Sequence, residues 1–116
     1  MSIFSSLQTL QGYLNVVTDR QQMVVSNMAN IDTPGYRTKD FNFQAAVQQA
    51  LTNEGNVRFE PASMQVFGLP ERPDGNNVNI DRESMLMSQT QLQYQLGTQL
   101  VQSQLHTLYS AIKDEN

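Results

Sequence analysis

Along the first 31 residues apolar side chains recur in alternating steps of four and three, at Ile3, Leu7, Leu10, Leu14, Val17, Val24, Met28 and Ile31, with Gln21 the one polar member of the series. Such spacing puts all of them on one stripe of an α-helix, and a repeat of seven marks the seam along which one helix packs on another. The pattern predicts a helix over residues 4–30, a rod of about 40 Å at 1.5 Å per residue, with Gly12 its weak interior point. It then stops at the stretch NMANIDTPGY. Thr33, Pro34, Gly35 and Tyr36 fit a type II turn, because Pro34 presets φ at the second position and Gly35 supplies positive φ at the third. Asn30 suits a left-handed cap, and the ring of Pro34 pushes Thr33 toward extended geometry.

After the turn, Phe43, Val47, Ala50 and Leu51 recur at helical spacing, so a short helix over 43–52 is expected, ended by Asn53, Glu54, Gly55 and Asn56. Two short alternating runs at 57–60 and 64–67, separated by Pro61, are compatible with a small hairpin or with extended chain. GLPERPDGNN, residues 68–77, reads as an exposed loop with a DGN turn. Asp81 is placed to cap a second long helix reaching about Lys113, with Glu83 favourable in its first turn and Lys113 favourable in its last. The apolar face of this helix is wider and drifts: Met85, Leu92 and Leu96 mark one seam, and Met87, Tyr94, Val101, Leu105, Leu108 and Ile112 mark another. Two adjacent seams suit two neighbours.

The fold expected is therefore mainly α. A single domain of 1–116 divides into an N-terminal helix (1–31), an excursion of turn, short helix and loop (32–80), and a C-terminal helix (81–116), with the two terminal helices forming an antiparallel, coiled-coil-like pair. One partner helix cannot cover both seams, so the remaining apolar surface is expected to be covered by other subunits. Alone, the terminal helices are expected to be marginal or disordered.

Composition sharpens this. The 116 residues hold no Trp and no Cys, and Gln recurs at 89, 91, 93, 95, 99, 102 and 104. Broad polar helix faces of this kind suit helices that meet partners. The net charge of -4 and the scatter of seven Lys plus Arg leave no basic stripe for phosphates, which argues against nucleic acid as partner. The N-terminus lacks the basic and continuous apolar regions of a cleavable signal, and no segment approaches 18 apolar residues, so a secreted chain is expected to leave the cytoplasm by another route.

Candidate chemistry is thin. His106 is the only histidine, with no carboxylate four residues away, and reads as a surface or interface side chain. Asn77, Asn79 and Asp81 alternate like calcium ligands but lack the glycine and closing glutamate of such a loop. Asp32, Asp40 and Glu54 sit near turns and helix ends, where carboxylates cap or solvate, and no second acid completes a catalytic pair. Met23, Met28, Met85 and Met87 read as packing. No enzyme activity, metal or cofactor is expected.

The stretch NMANIDTPGY at 27–36, followed by Arg37, Lys39, Asp40, Phe41 and Phe43, closely resembles the signature of the flagellar axial protein family. DGNNVNIDRE at 74–83, ahead of QLQYQLGTQLVQSQL, narrows the resemblance to the proximal rod members. The similarity covers both ends and weakens between about 53 and 70. It implies a structural subunit of the flagellar basal body, exported unfolded by the flagellar type III system without a cleaved signal. Such a subunit assembles helically into the periplasmic rod and transmits torque. The implied partners are other copies of itself, neighbouring rod proteins of FlgC and FlgF type, a rod-base adaptor of FliE type, the MS ring, and the export gate during secretion. In that family the termini form an inner coiled-coil tube. The turn carried here by Asn30, Thr33, Pro34, Gly35 and Tyr36 redirects the chain outward, and Phe41 and Phe43 anchor the outgoing segment. Subunit packing is expected from Ile3, Leu7, Leu10, Leu14, Val17, Val24, Met28, Phe41, Phe43, Leu92, Leu96, Val101, Leu105, Leu108 and Ile112. The competing expectation is a helical adaptor or chaperone of a flagellar or type III secretion system, also acidic and Gln-rich.

Overall fold

The computed structural model of the protein describes residues 2–52 and 63–114. Three helices and one two-stranded sheet order as α1 (Ile3–Ala29), β1 (Lys39–Asp40), α2 (Phe43–Thr52), β2 (Met64–Gln65) and α3 (Ile80–Asp114). α1 and α3 lie antiparallel as an elongated pair, and α2 packs on α1, giving a body of 69 × 23 × 17 Å. The 35 residues of α3 make a rod of about 52 Å. The pair of long terminal helices, the short helix over 43–52 and the mainly α class are as the periodicity predicts.

Each helix begins at a side-chain cap. The Ser2 hydroxyl accepts from Ser5 N at 3.1 Å, and Asn42 Oδ1 accepts from Ala45 N at 3.0 Å. For α3 the cap is Asn79, whose Oδ1 accepts from Arg82 N at 3.0 Å. Asp81, expected to be the cap, lies instead inside the first turn, where its charge still faces the positive end of the helix dipole. Asn30 ends α1 at φ -102, so it is not a left-handed cap. It caps through its side chain instead, with Nδ2 donating to Ser26 O at 2.8 Å and satisfying one of the last carbonyls.

The core is small and sits where α2 covers α1. Val16, Phe41, Ala46 and Ala50 are buried together, with Met23, Phe43 and Val47 packed around them. The aromatic pair at 41 and 43 thus anchors the outgoing chain on α1, and the Arg20 guanidinium lies 5.0 Å above the Phe43 ring. The run at 57–60 lies outside the described residues, and what the structure describes is the run at 64–67. Its first two residues pair antiparallel with β1, Lys39 opposite Gln65 and Asp40 opposite Met64. The loop of 68–77 is exposed only in part, because Asn76 and Asn77 are buried against the turn that follows α1.

Candidate functional site

The two sequence motifs, about 40 residues apart, form one hydrogen-bonded unit. Gly35 has φ +73, the value the third position of a type II turn needs, and Tyr36 N closes the turn on Thr33 O at 3.2 Å. Gly75 has φ +86 in the facing turn, and a Cβ there would lie 3.4 Å from the Gly35 Cα, so two positive-φ glycines bring two backbones together. Gly35 N donates to Asp74 O at 2.8 Å, and Asn77 N donates to Tyr36 O at 3.3 Å. The Asn76 amide, wholly buried, donates to Asn30 O at 2.9 Å and Thr33 O at 2.8 Å, while its Oδ1 accepts from Val78 N at 2.8 Å. Asn77 Oδ1 accepts from Thr38 N at 2.6 Å. Arg72 donates to Ile31 O, and Thr33 Oγ1 bonds the Asn30 side chain. Each expected turn residue therefore has a place, but the turn is held from outside, by the DGNN loop.

Beneath this lies a buried polar cluster. Asn27 donates from Nδ2 to Lys39 O at 2.8 Å and Glu83 Oε2 at 3.3 Å, and its Oδ1 accepts from Lys39 N and from the Tyr36 hydroxyl, both at 3.1 Å. Its side chain thus pairs with the Lys39 backbone as a neighbouring strand would. Glu83, with no exposed surface, meets Arg82 at 2.6 Å, and Asp40 Oδ2 takes both Arg82 at 2.8 Å and Arg20 at 3.2 Å. Two cations and two anions balance and each carboxylate oxygen accepts at least one hydrogen bond, which is the condition for burying such groups, while the buried Arg20 Nε finds no partner among the described residues. Asp40 is thus a bridge between α1 and α3. Among the described residues no group of three His, Cys, Asp or Glu is placed to hold a metal ion, and no helix is long and apolar enough to cross a membrane.

Away from this interlock the helix pair changes character. Residues 2–18 and 84–112 contain no Asp, Glu, Lys or Arg. These stretches lie side by side, since Leu14 of α1 meets Gly97 of α3 and Gln21 Nε2 donates to Met87 Sδ at 3.6 Å. The stripe of α3 that faces α1 is Glu83, Leu86, Thr90 and Gly97, all buried, with Met87, Val101, Gln104 and Leu108 half-buried. It alternates small or polar residues with apolar ones. Val101 and Leu108, from the second predicted seam, flank it. Leu92, Leu96, Leu105 and Ile112 are exposed, as are Met85 at 63 % and Tyr109 at 63 %. On α1, Val17 and Val24 are closed over by the chain's own elements, as is Phe41. Ile3, Leu7, Leu10, Leu14 and Met28 are half-buried, like Phe43. His106 is exposed. Burial pushes the Tyr13 phenol above its ordinary pKa, keeping it neutral in the helix seam.

Where α1, α2 and α3 meet, Thr9, Leu10, Tyr13, Val47, Leu51, Leu96 and Leu100 line an open, almost wholly apolar groove of about 250 Å³. A helix pair whose one half carries no charge and shows apolar stripes outside, pinned at the other end by a polar interlock, has the build of a structural subunit. No family model matches the chain. It is 30% identical over 122 residues to the flagellar basal body rod protein FlgB of Borrelia hermsii, covering 86% of this chain and 90% of that protein. It is 28% identical over 132 residues to that of Salmonella typhimurium strain LT2, covering 97% and 96%, and 29% identical over 117 residues to that of Aeromonas hydrophila, covering 88% of each. The chain belongs to the FlgB family of flagellar basal body rod proteins. The match to the Salmonella protein extends over 132 positions against 116 residues here, so that relative carries residues this chain lacks.

Gly35→Val is expected to lower the urea midpoint and abolish motility. No atom lies within 4 Å of a Cβ built at Gly35, so the effect comes from positive φ alone, which costs a β-branched residue about 1–3 kcal/mol. Gly35→Asn, which tolerates that φ, is expected to stay near wild type in both measurements. Equal behaviour of the two variants would mean that φ at this turn is not what matters.

Proposed function

We propose that the chain is a structural subunit of the flagellar basal body rod, whose function is rigid stacking with copies of itself and with neighbouring rod proteins. Membership of the FlgB family supports the rod assignment. The observation that carries the packing mechanism is the uncharged half of the helix pair, with Leu92, Leu96, Leu105 and Ile112 left open to solvent. Exposed apolar stripes of this extent mark interaction surfaces. The absence of charge lets different faces of neighbouring copies meet without repulsion or desolvated ions. Contact of this kind is heterologous and repeats without closing, which builds a helical stack. In this reading the interlock orients the outer segment on each subunit, and the FlgC-type, FlgF-type and FliE-type proteins and the MS ring abut the two ends of the stack. Delivery is by the flagellar type III export gate to the periplasmic, proximal part of the rod, and the stack transmits torque. No catalytic role is assigned.

The test is deletion of the gene followed by purification of basal bodies, with complementation by an epitope-tagged copy. Loss of rods on deletion, their return on complementation and the tag within the rod fraction are expected. Complete rods in the deletion strain would overturn the reading.

A further inference from the structure

We infer that Leu14 and Gly97 form a knob and notch that sets how closely α1 and α3 approach, and thereby shapes the apolar groove between them. Along the stripe of α3 that faces α1, Glu83, Thr90, Gly97 and Gln104 recur every seven residues, and of these Gly97 alone lacks a Cβ. A Cβ built at Gly97 would lie 2.5 Å from Leu14 Cδ2 and 3.3 Å from its Cγ, with the Tyr13 ring 3.4 Å away. The Leu14 side chain therefore occupies the volume that any other residue at 97 would fill. Glycine inside an exposed helix is otherwise unfavourable, so its presence at the centre of a 35-residue helix is explained by this close approach. The consequence reaches the surface. Leu10 and Tyr13 on one side and Leu96 and Leu100 on the other are the immediate neighbours of the contact, and these four line the groove. Widening the helix pair by one side chain opens that groove and displaces Leu96 and Leu100, which line it. The part of the inference that concerns assembly rests on the rod reading; the part that concerns the helix pair does not.

A size swap tests it. The full-length chain is melted in urea with trimethylamine N-oxide added to favour the packed state, as wild type, Gly97→Leu, Leu14→Ala and the double variant. Helix propensity alone makes Gly97→Leu about fourfold more folded, whereas the knob and notch makes it at least tenfold less folded, so the two accounts differ in sign. Leu14→Ala is also expected to lower the folded fraction about tenfold by emptying the notch. In the double variant the leucine introduced on α3 enters the space vacated at position 14 of α1, and the loss is expected to be smaller than for either single change. A stabilised Gly97→Leu chain, or a double variant as poor as the product of the single losses, would overturn the inference. If the isolated chain shows no cooperative transition, the same four variants are ranked by rod content in purified basal bodies, with the same order expected and the same reversals decisive. Rods that never contain the chain would count against the rod reading, while the melts still decide the knob and notch.

Discussion

Replacing Leu14 with Asp is expected to abolish rod assembly, while replacing Gln11 with Asp leaves it close to normal. Both changes add one negative charge to the same stretch of α1. Gln11 is exposed and its carboxylate replacement stays hydrated, whereas Leu14 is half-buried with its side chain seated against Gly97. Loss of the leucine removes about 2 kcal/mol of apolar burial. The charge itself does more harm. Residues 2–18 and 84–112 hold no Lys or Arg that could pair with it, and an uncompensated buried charge costs about 3–5 kcal/mol. Because each copy in a stack repeats the same contacts, the penalty recurs at every subunit and the failure is complete. Rod content of purified basal bodies checks this, with secreted subunit quantified to separate export from assembly. Equal, mild effects at the two positions would mean that the Leu14 stripe is not a packing seam.

What the sequence made legible follows the physics of each element. α1 could be read as a helix because its apolar residues are strictly spaced, although Thr9, Gly12, Val16 and Asn27 are buried off that series, and α2 because Phe43, Val47 and Ala50 share a face bounded by clear stop residues. The face of α3 toward α1 could not be read as an apolar stripe, since Glu83, Thr90 and Gly97 alternate there with Leu86 and Val101. The stronger apolar signals at Met85, Leu92 and Leu96 belong to its exposed side. Hydropathy reports burial, and here the most buried residues include Asn27, Asn76 and Glu83, chosen for the hydrogen bonds they complete. The partners that tie the motifs together, Glu83 for Asn27 and Asn30 and Thr33 for Asn76, lie 56, 46 and 43 residues away, so no local window shows them. One clue lay in the chain itself: DGNNVN places three amides within six residues beside a glycine turn, more than an exposed loop requires. The charge partition of the helix pair was equally visible, but a net charge summed over the chain hides it.

Asn76→Asp is expected to be among the most damaging single-atom-scale changes in the chain, although the two side chains are nearly the same size. Asn76 is fully buried, and its Nδ2 donates to two carbonyls, Asn30 O and Thr33 O, that end α1 and open the turn. An aspartate offers those carbonyls an acceptor in place of a donor. Two hydrogen bonds become two repulsive contacts and a carboxylate is buried with no cation on it, although each carbonyl keeps one backbone donor, Thr33 N on Asn30 O and Tyr36 N on Thr33 O. An uncompensated buried charge costs about 3–5 kcal/mol, so the interlock opens. Asp74→Asn, two residues away, is the control. Asp74 is exposed and its Oδ1 only accepts from Asn76 N at 2.9 Å, a role the asparagine oxygen fills equally well. A mild effect is therefore expected there, of a few tenths of a kcal/mol at most on the scale of surface changes. Urea midpoints of both variants, and the motility of strains carrying them, are the measurements. A mild Asn76→Asp variant would show that the DGNN loop does not hold the turn through this amide, and that the two motifs are tied together by backbone contacts alone.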